Sequence, residues 1–455
     1  MSVVAVGDEL PTSDLYRVET RVTGGDWCAA EVRPALVAKP KGYLSEPALV
    51  AFASVETAFP VEVRVTPKTS FNAAEIRPQS RGLVGAKVGK ALVFTVARPE
   101  NLVVDIDGAI FGNLCLFLDR PMVSPVTTTC TSSDGTRLVF GPGLHRLPKE
   151  GLFLRSGQRV VVDAGAWLDG SLVVSNVTDV TIEGHGVVRP LESYRNAGIR
   201  IANSQRVTVR GLVVNQCPIG GSEDVTIENV KAITHYGWGD GFNVFASSNV
   251  SYRNIFARTS DDCLTVYATR KGFSGNARNI RVDGAVLWAD IAHPIMIGIH
   301  GNAQGQDIIE DLVYRNIDIL DQHENQIEYQ GSMTVNCGDN NLVRRVRFED
   351  VRIEELRKGS LLQLRVGWNA KYCRAPGGGI DDVLFKNVSY TGKTPAYSII
   401  SGYDERRRVT NVRFENLVLN GEHVNDAMVT KPKWYVTTDM AGIYVGNHAD
   451  MPTFR

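Results

Sequence analysis

The chain has 455 residues, of which 43% are hydrophobic and 22% are charged, and its formal net charge is −1. This balance argues against a surface for nucleic acid or for an anionic membrane, because such surfaces usually carry a basic excess. No stretch approaches the roughly 18 apolar residues that a membrane helix needs. We therefore expect neither a nucleic acid nor a membrane as partner.

Cysteine usage and the first residues bear on location. The seven cysteines are scattered singly, without a C-x-x-C pair, as is typical of free thiols in a reducing compartment. The opening MSVVAVGDELPTSDLYRVETR has no basic segment followed by a long apolar run, so no signal peptide is expected. These features predict a cytoplasmic protein, although a secreted protein whose signal had been removed would read the same. They leave open whether the chain forms a homo-oligomer.

The first part of the chain alternates apolar and polar residues in short runs. Examples are PVEVRV (60–65), ALVFTVA (91–97), LVVDIDG (102–108) and LCLFLD (114–119), separated by turn residues. This period of two predicts antiparallel strands. We assign residues 1–140 to a small antiparallel β-sandwich domain.

From about residue 158 a repeat takes over, in which a short alternating strand ends at Asn, Gly or Asp. Its copies are DVTIEG (179–184), RVTVRGL (206–212), DVTIENV (224–230), NVSYRNI (249–255), NIRVDGA (279–285), DLVYRNI (311–317), RVRFEDV (345–351), DVLFKNV (382–388) and NVRFENL (411–417). The terminal residues are 18 to 37 positions apart. Such units predict the coils of a right-handed parallel β-helix over residues 141–455. A β-propeller or an array of sandwiches is the alternative, but no four-stranded period is present.

Three aspartates fall at a spacing that this fold makes meaningful. Asp240 lies in GWGDGF, and Asp261 and Asp262 lie in RTSDDCLTVY, 21 residues later. This step is close to one coil, so the carboxyl groups are expected to stack on one face. Repulsion between them would raise one pKa and keep that acid protonated. Hydrolysis of a glycosidic bond needs such an acid and a second carboxylate that activates water. A solvated turn or a calcium site is the simpler interpretation.

The blocks GDG (239–241), SDDC (260–263) and AHPIMIGIHG (292–301) resemble the active-site blocks of glycoside hydrolase family 28, the polygalacturonases. The resemblance implies a right-handed parallel β-helix and an inverting mechanism. It makes Asp261 the general acid, Asp240 and Asp262 the bases that activate water, and His293 a partner that tunes the acid.

One block of that family is missing. Where its Arg-x-Lys pair would hold a uronate carboxylate, the chain reads QHENQIEYQ (322–330), with Glu324 and Glu328. An anionic sugar would be repelled there, so a neutral sugar is expected. The run TSDDCLTVYATR and the N-terminal strands are closer to family 49, the dextranases and isopullulanase. That family shares the fold and acts on neutral α-glucans.

Several other side chains are candidates for substrate binding. Aromatic faces near the aspartates could stack on sugar rings, and polar groups on the following coils could bind hydroxyls. The candidates are His235, Tyr236, Trp238, Arg270, Lys271, Trp288, Glu324, Gln326, Glu328 and Tyr329, with Arg365 and Trp368 as weaker ones. No H-x-x-x-H, Walker A or G-x-S-x-G motif is present, so we expect no metal and no cofactor.

These observations predict an inverting glycoside hydrolase whose partner is a carbohydrate, with an α-glucan such as an isomalto-oligosaccharide or dextran favoured. Three alternatives remain open at this point. They are a hydrolase of pectin-type galacturonan, a polysaccharide lyase, and a carbohydrate-binding β-helix without catalytic activity.

Overall fold

The computed structural model describes residues 10–41, 44–122, 129–191, 196–393 and 395–455. Regular structure in these residues is nearly all β-strand, as predicted. The exceptions are two 3₁₀ turns, Gln79–Arg81 and Ile327–Tyr329, and the short helix α1, Thr437–Met440. No helix in the described part of the chain is long and apolar enough to cross a membrane.

Ten strands near the N-terminus form two five-stranded sheets, ordered β2-β1-β5-β8-β7 and β3-β4-β10-β9-β6. The strands are β1 Tyr16–Val22, β2 Cys28–Ala30, β3 Arg33–Lys41, β4 Leu44–Glu56, β5 Val61–Pro67, β6 Ala74–Arg77, β7 Ala86–Val88, β8 Ala91–Val96, β9 Glu100–Ile106 and β10 Leu114–Asp119. The four strands predicted from alternation correspond to β5, β8, β9 and β10. One neighbouring pair is not antiparallel, since β4 and β10 run parallel.

The two sheets pack face to face around an apolar core. Val63 and Val65 of one sheet and Leu116 of the other belong to one buried cluster. In β5 the residues alternate strictly between buried and half-buried. This is the pattern of a strand with one face in a sandwich core, and it confirms the predicted sandwich architecture.

The remaining strands wind into a parallel β-helix. The first strands of the coils are β12 Arg137–Phe140, β15 Arg159–Val162, β18 Thr178–Gly184, β21 Gln205–Arg210 and β24 Glu223–Glu228. The second strands are β13 Gly143–Arg146, β16 Ala166–Asp169, β19 Val187–Val188, β22 Val213–Val214 and β25 Lys231–Ile233. In later coils one long strand spans both positions: β27 Ser248–Thr259, β29 Ala277–Ala289, β31 Ile308–Gln322, β33 Leu342–Ile353, β35 Gly379–Tyr390 and β37 Val409–Leu419.

The third strand of each coil joins an 11-stranded parallel sheet, here named the cleft sheet. Its strands are β14 Leu152–Phe153, β17 Leu172–Ser175, β20 Ile199–Ala202, β23 Ile219–Gly220, β26 Phe242–Phe245, β28 Leu264–Tyr267, β30 Ile295–Gly298, β32 Gly331–Cys337, β34 Ser360–Val366, β36 Ser398–Ser401 and β39 Ile443–Val445. Three short strands complete the fold: β11 Cys130–Thr131, β38 Glu422–Val424 and β40 Thr453–Phe454.

The residues that end each predicted repeat lie at the corners between the first and second strand positions. All nine adopt positive φ, from Gly184 to Asn416, a region that Gly and Asn enter at least cost. Some of their side chains bond from coil to coil: Asn254 donates to Asn229 over 3.1 Å, and Asn416 donates to Asn387 over 3.0 Å. The residues that end the predicted repeats thus correspond to corners of the coils.

The two domains meet over an apolar interface. The outer face of the β3-β4-β10-β9-β6 sheet packs on the second strands of the coils, where Phe117 contacts Phe256 at 5.0 Å between ring centroids. The parallel sheet already includes Arg137–Phe140. The domain boundary at residues 140 and 141 stays a prediction.

Candidate active site

A cleft of 1210 Å³ lies over the outward face of the cleft sheet, centred on β26, β28 and β30. Because the strands are parallel, all segments that enter them lie along one edge and all segments that leave them lie along the other. We name the segments 234–241, 260–263, 290–294 and 323–330 the entry turns. They form one wall of the cleft, and the segments that follow β28, β30 and β34 form the opposite wall.

The strand register places three of the predicted catalytic residues in one stack. Phe242 pairs with Leu264, and Leu264 pairs with Ile295. Two residues earlier in each coil stand Asp240, Asp262 and His293, one coil apart, or about 4.8 Å between backbones. The expected alignment of Asp240 with Asp261 is therefore off by one residue. Asp261 stands next to the stack, at the position that Gly239 occupies one coil earlier.

Glycine is required at position 239 because the next coil leaves no space for a side chain. A Cβ atom there would lie 2.2 Å from the Ser260 hydroxyl and 2.7 Å from the Tyr236 carbonyl oxygen. The hydroxyl of Ser260 donates to that same carbonyl oxygen over 2.6 Å. The turn that carries Asp240 is thus packed tightly on the turn that carries Asp261 and Asp262.

His293 and Asp262 form a buried pair. The Nδ1 atom of His293 lies 2.6 Å from Oδ1 of Asp262, and its Nε2 atom bonds to the carbonyl oxygen of Tyr329. A carbonyl oxygen only accepts, so Nε2 carries a proton. Burial lowers the pKa of His293, but the charge and hydrogen bond of Asp262, the charge of Glu324 and the bond to Tyr329 together outweigh burial, so the pKa is raised overall. The second oxygen of Asp262 accepts a hydrogen bond from the Tyr267 hydroxyl over 3.1 Å.

The other two aspartates are in a different electrostatic state. Burial, followed by the charges of Asp240 and Asp262, raises the pKa of Asp261 well above its usual value. Burial and the charge of Asp262 raise the pKa of Asp240 to about 7, although a hydrogen bond from Asn243 and the charge of Arg270 oppose that rise. The Asn243 amide donates to Oδ2 of Asp240 over 2.5 Å. The cluster therefore holds one carboxyl group protonated beside others that can ionise.

A fourth carboxyl group completes the entry-turn wall. Glu324 is buried, and its Oε1 atom accepts a hydrogen bond from the backbone of Gln326 over 2.6 Å. Burial raises its pKa, while the nearby charge of His293 acts in the opposite direction. Glu324 thus lines the cleft beside His293, where the sequence predicted a carboxylate instead of the family's cations.

The opposite wall carries positive charge on a rigid hairpin. Arg270 and Phe273 bond to each other through their backbones, and the two residues between them, Lys271 and Gly272, have φ of 55° and 87°, as in a type I′ turn. The Arg270 guanidinium lies 4.7 Å from the ring centroid of Tyr267. Among the described residues no carboxylate lies within ion-pair distance of Arg270.

An aromatic stack anchors this hairpin. The ring of Phe273 stacks on Phe245 at 6.2 Å, and Phe245 stacks on Tyr267 at 6.0 Å. Phe273 also covers Gly220, where a Cβ atom would lie 2.1 Å from its ring. Tyr267 therefore links the two walls, since its ring supports Arg270 and its hydroxyl bonds to Asp262.

Most of the predicted binding residues line the cleft together with the catalytic candidates. They are Tyr236, Trp238, Arg270, Lys271, Glu324, Gln326 and Tyr329. Trp238 is 67% exposed and stands at the rim, free to offer one ring face. Arg365 and Trp368 line a smaller adjoining groove.

Three predicted residues lie elsewhere. Trp288 is wrong as a sugar platform, because it is buried in the interface between the domains and stacks under Arg258 at 4.1 Å and Arg77 at 5.0 Å.

His235 lies outside the cleft lining and packs edge-on against Tyr236. Burial and the charge of Arg189 lower its pKa to about 4. Glu328 is exposed in the adjoining groove, with its carboxylate 3.6 Å from Arg365.

The structure adds lining residues that the sequence reasoning did not select. They are Asn243, Tyr267, Met296, His300, Lys371 and Tyr372. Asn243 and Tyr267 are outward residues of cleft-sheet strands, and alternation with the inward residues Val244 and Val266 would have found them. Lys371 and Tyr372 come from a long segment after β34, whose path the repeat pattern does not fix. Among the described residues no group of three or more His, Cys, Asp or Glu is arranged to hold a metal ion.

Comparison with known proteins agrees with this geometry. The model of the glycosyl hydrolases family 28 matches residues 187–436, more than half of the chain. Dex49A from Penicillium minioluteum has a similar structure, with a TM-score of 0.60 and 11% identity over 96% of this chain and 93% of that one. A polygalacturonase from Erwinia carotovora ssp. carotovora matches with a TM-score of 0.36 and 14% identity over 64% of this chain and 99% of that one.

No curated protein sequence matches the chain. The likeness to Dex49A extends over both domains, so the predicted order of sandwich and β-helix is shared with a solved structure. The predicted resemblance to the β-helical glycoside hydrolases is confirmed. The chain belongs to family 28 of the glycosyl hydrolases and is a glycoside hydrolase.

Proposed function

We propose that the chain hydrolyses a glycosidic bond with inversion of configuration. Asp261 donates its proton to the glycosidic oxygen as the bond from that oxygen to the anomeric carbon breaks. A water molecule attacks the anomeric carbon from the opposite face and gives its proton to Asp240. Asp262, held by His293 and Tyr267, orients that water and stabilises the positive charge on the sugar.

The carrying observation is the difference between the neighbours Asp261 and Asp262. Asp262 has one oxygen on His293 and the other on Tyr267, and the raised pKa of His293 favours a charged imidazole beside it. Burial and two neighbouring carboxylates raise the pKa of Asp261 instead. An acid of raised pKa next to a carboxyl group held by an imidazole and a hydroxyl is the arrangement that a general acid and its partner require.

For the substrate we propose a neutral oligosaccharide, with an α-glucan favoured. The support is Glu324, which is buried in the cleft wall beside His293. A carboxylate on the sugar bound at that point would face a second carboxylate in a site of low dielectric. Neutral hydroxyl groups would instead donate to Glu324 and accept from the amide of Gln326.

A second substrate class has support from the opposite wall. Arg270, Lys271 and Lys371 line the cleft, and within the described residues none of them forms an ion pair. Unpaired cations attract anionic groups, so a galacturonan-type acidic sugar is the second candidate.

The test is a screen of matched neutral and acidic oligosaccharides, in which the anomer first released is followed by NMR. Turnover of a neutral glucan with inverted product supports the proposal. A product of retained configuration contradicts the mechanism, and turnover of acidic sugars alone favours the second candidate. An unsaturated product that absorbs in the ultraviolet would indicate a lyase.

A further inference from the structure

A buried ion pair joins two of the catalytic entry turns where they begin. The guanidinium of Arg258 donates to both oxygens of Asp290, over 2.9 Å from Nε and 3.1 Å from Nη2. Both side chains are fully buried. Arg258 lies near the end of β27 and Asp290 directly after β29, so the pair bridges adjacent coils.

The sandwich domain supplies the remaining partners of this guanidinium. Nη1 of Arg258 donates to Oδ1 of Asn113 over 2.6 Å, and Nη2 donates to the carbonyl oxygen of Ile110 over 2.8 Å. Asn113 is itself fixed, because its amide donates to Asp105 over 2.7 Å. The loop between β9 and β10 of the sandwich therefore holds a side chain of the β-helix by its terminal atoms.

The covalent path from this pair to the catalytic groups is short. Two residues lie between Arg258 and Asp261, and two lie between Asp290 and His293. The backbone N–H of Asp290 donates to the carbonyl of Thr259 over 2.9 Å, and the hydroxyl of Thr259 donates to the carbonyl of Asp261 over 2.6 Å. A shift of Arg258 would thus be passed to both entry turns.

We propose that the sandwich loop 110–113 is a positioning element for catalysis. Through Arg258 it sets the distance between the turn that carries Asp261 and Asp262 and the turn that carries His293. This inference rests on the proposed roles of those residues. It assigns the N-terminal domain a part in turnover, in addition to covering the β-helix.

The chemistry of the interface supports a role beyond cohesion. The domains also meet through apolar side chains such as Phe117 and Phe256, and through other buried ion pairs such as that of Lys231 with Asp119. The pair of Arg258 and Asp290 differs in its place, because it lies at the ends of β27 and β29, where the turns that carry Asp261 and His293 begin. Buried ion pairs contribute little net stability compared with apolar packing, whereas they fix geometry through directed hydrogen bonds. Here the directed bonds end beside the catalytic turns.

The test compares two asparagines of the sandwich that are both buried and both bond to the β-helix. Asn113→Ala removes the bond to Arg258, whereas the matched control Asn101→Ala removes a bond to the carbonyl of Asn254 over 3.1 Å, at a corner of the coil. We expect Asn113→Ala to lower kcat about tenfold to a hundredfold with KM within about twofold. We expect Asn101→Ala to leave both constants near the wild-type values.

Arg258→Lys is the second variant, because it keeps a charge opposite Asp290 but carries all its donors on one nitrogen, which cannot span the carboxylate and the sandwich loop as the guanidinium fork does. If Asn113→Ala does not fold, Arg258→Lys takes its place as the test, and it should show the same loss in kcat. Equal kcat for the two asparagine variants, or unchanged kcat in Arg258→Lys, would overturn the proposal. The kcat of each variant is compared with the kcat of wild type on a substrate that wild type hydrolyses. If wild type hydrolyses no glycoside, that result counts against the proposed function and not against the role of the sandwich loop.

Discussion

His293 bonds through Nδ1 to Oδ1 of Asp262, over 2.6 Å, while its other ring nitrogen bonds to the carbonyl of Tyr329. The raised pKa of His293 favours the imidazolium form, in which both ring nitrogens donate. Asp262 is thereby held between a charged imidazole and the hydroxyl of Tyr267. Within the described residues no cation forms an ion pair with the neighbouring Asp261, and this asymmetry distinguishes the two carboxyl groups.

Replacing His293 by Gln should change how stability depends on pH. The pKa of His293 is raised above 6.5 in the folded chain, so its pairing stabilises the fold fully below that value and is lost as pH rises through the folded pKa. We expect the difference in melting temperature between wild type and His293→Gln to be largest below about pH 6.5 and to shrink at alkaline pH. Thermal unfolding across this range measures it.

His235→Gln is the control for that experiment. The pKa of His235 is lowered to about 4, so the unfolded chain binds its proton first as pH falls through 6.5. His235→Gln should therefore gain stability relative to wild type on acidification. A shared pH trend in the two variants would contradict the assignment of His293 as the paired cation.

Asp261→Asn should abolish proton donation without disturbing the other carboxylates. On an oligosaccharide with a sugar leaving group we expect kcat to fall about a hundredfold to ten-thousandfold. On an aryl glycoside with an acidic phenol, which leaves without protonation, the loss should be small. Steady-state rates on both substrates give the comparison. Equal losses would mean that Asp261 has another role.

Much of the architecture was predictable because the β-helix repeats one physical constraint. Each coil needs a corner residue of positive φ and an inward apolar residue, and both leave a local trace in the sequence. The strands before Val61 were not assigned, because LSEPALVAFASVE and RPALVAKPK mix prolines and charges with the apolar residues. Proline weakens the alternation by which a strand is recognised.

The site was predictable in composition but not in detail. The sequence around a tryptophan does not show which outer surface its ring meets, so Trp288 under the sandwich and Trp238 in the entry turn at the cleft rim could not be distinguished. Lys371 reaches the cleft from a loop three coils beyond β28, and repeat spacing says nothing of a loop's path. The alignment of Asp262 with Asp240 needed the strand register, since a shift of one residue changes which side chains stack.

Asn243→Ala should shift the acidic limb of the pH profile. The amide of Asn243 lowers the pKa of Asp240, which other influences raise to about 7. A base must be ionised, so kcat/KM should fall as pH drops below about 7 in wild type. Without the amide the pKa rises further, and the limb should move to higher pH. Thr265→Val, which removes only the hydroxyl bonded to Asn243 over 3.0 Å, should move it little.

The two tryptophans should respond in opposite ways to substitution. Trp238→Ala removes an exposed ring at the cleft rim, so KM should rise by about tenfold, the effect of losing about 1.4 kcal/mol of binding, while the melting temperature stays unchanged. Trp288→Phe removes a buried indole between two arginines, so the melting temperature should fall while KM stays near the wild-type value. Thermal unfolding and steady-state kinetics on both variants decide this. A rise in KM for Trp288→Phe would mean that Trp288 contributes to substrate binding after all.

Arg270→Met should reveal which substrate class the cleft prefers. Methionine keeps an apolar stem over Tyr267 but removes the only half-buried cation of the wall formed by Arg270, Lys271 and Lys371. With a neutral glucan, loss of charge-assisted bonds to hydroxyls should raise KM about tenfold, with little dependence on salt.

With an acidic sugar the same change should raise KM far more, and the wild-type KM should itself increase with ionic strength. Lys371→Met is the matched control, since it removes an exposed cation that salt already screens. Arg270 also lowers the pKa of Asp240, so Arg270→Met should move the acidic limb to higher pH, as Asn243→Ala does. A limb that moves in neither variant would mean that Asp240 is not the base, and the water would then have to give its proton to Asp262.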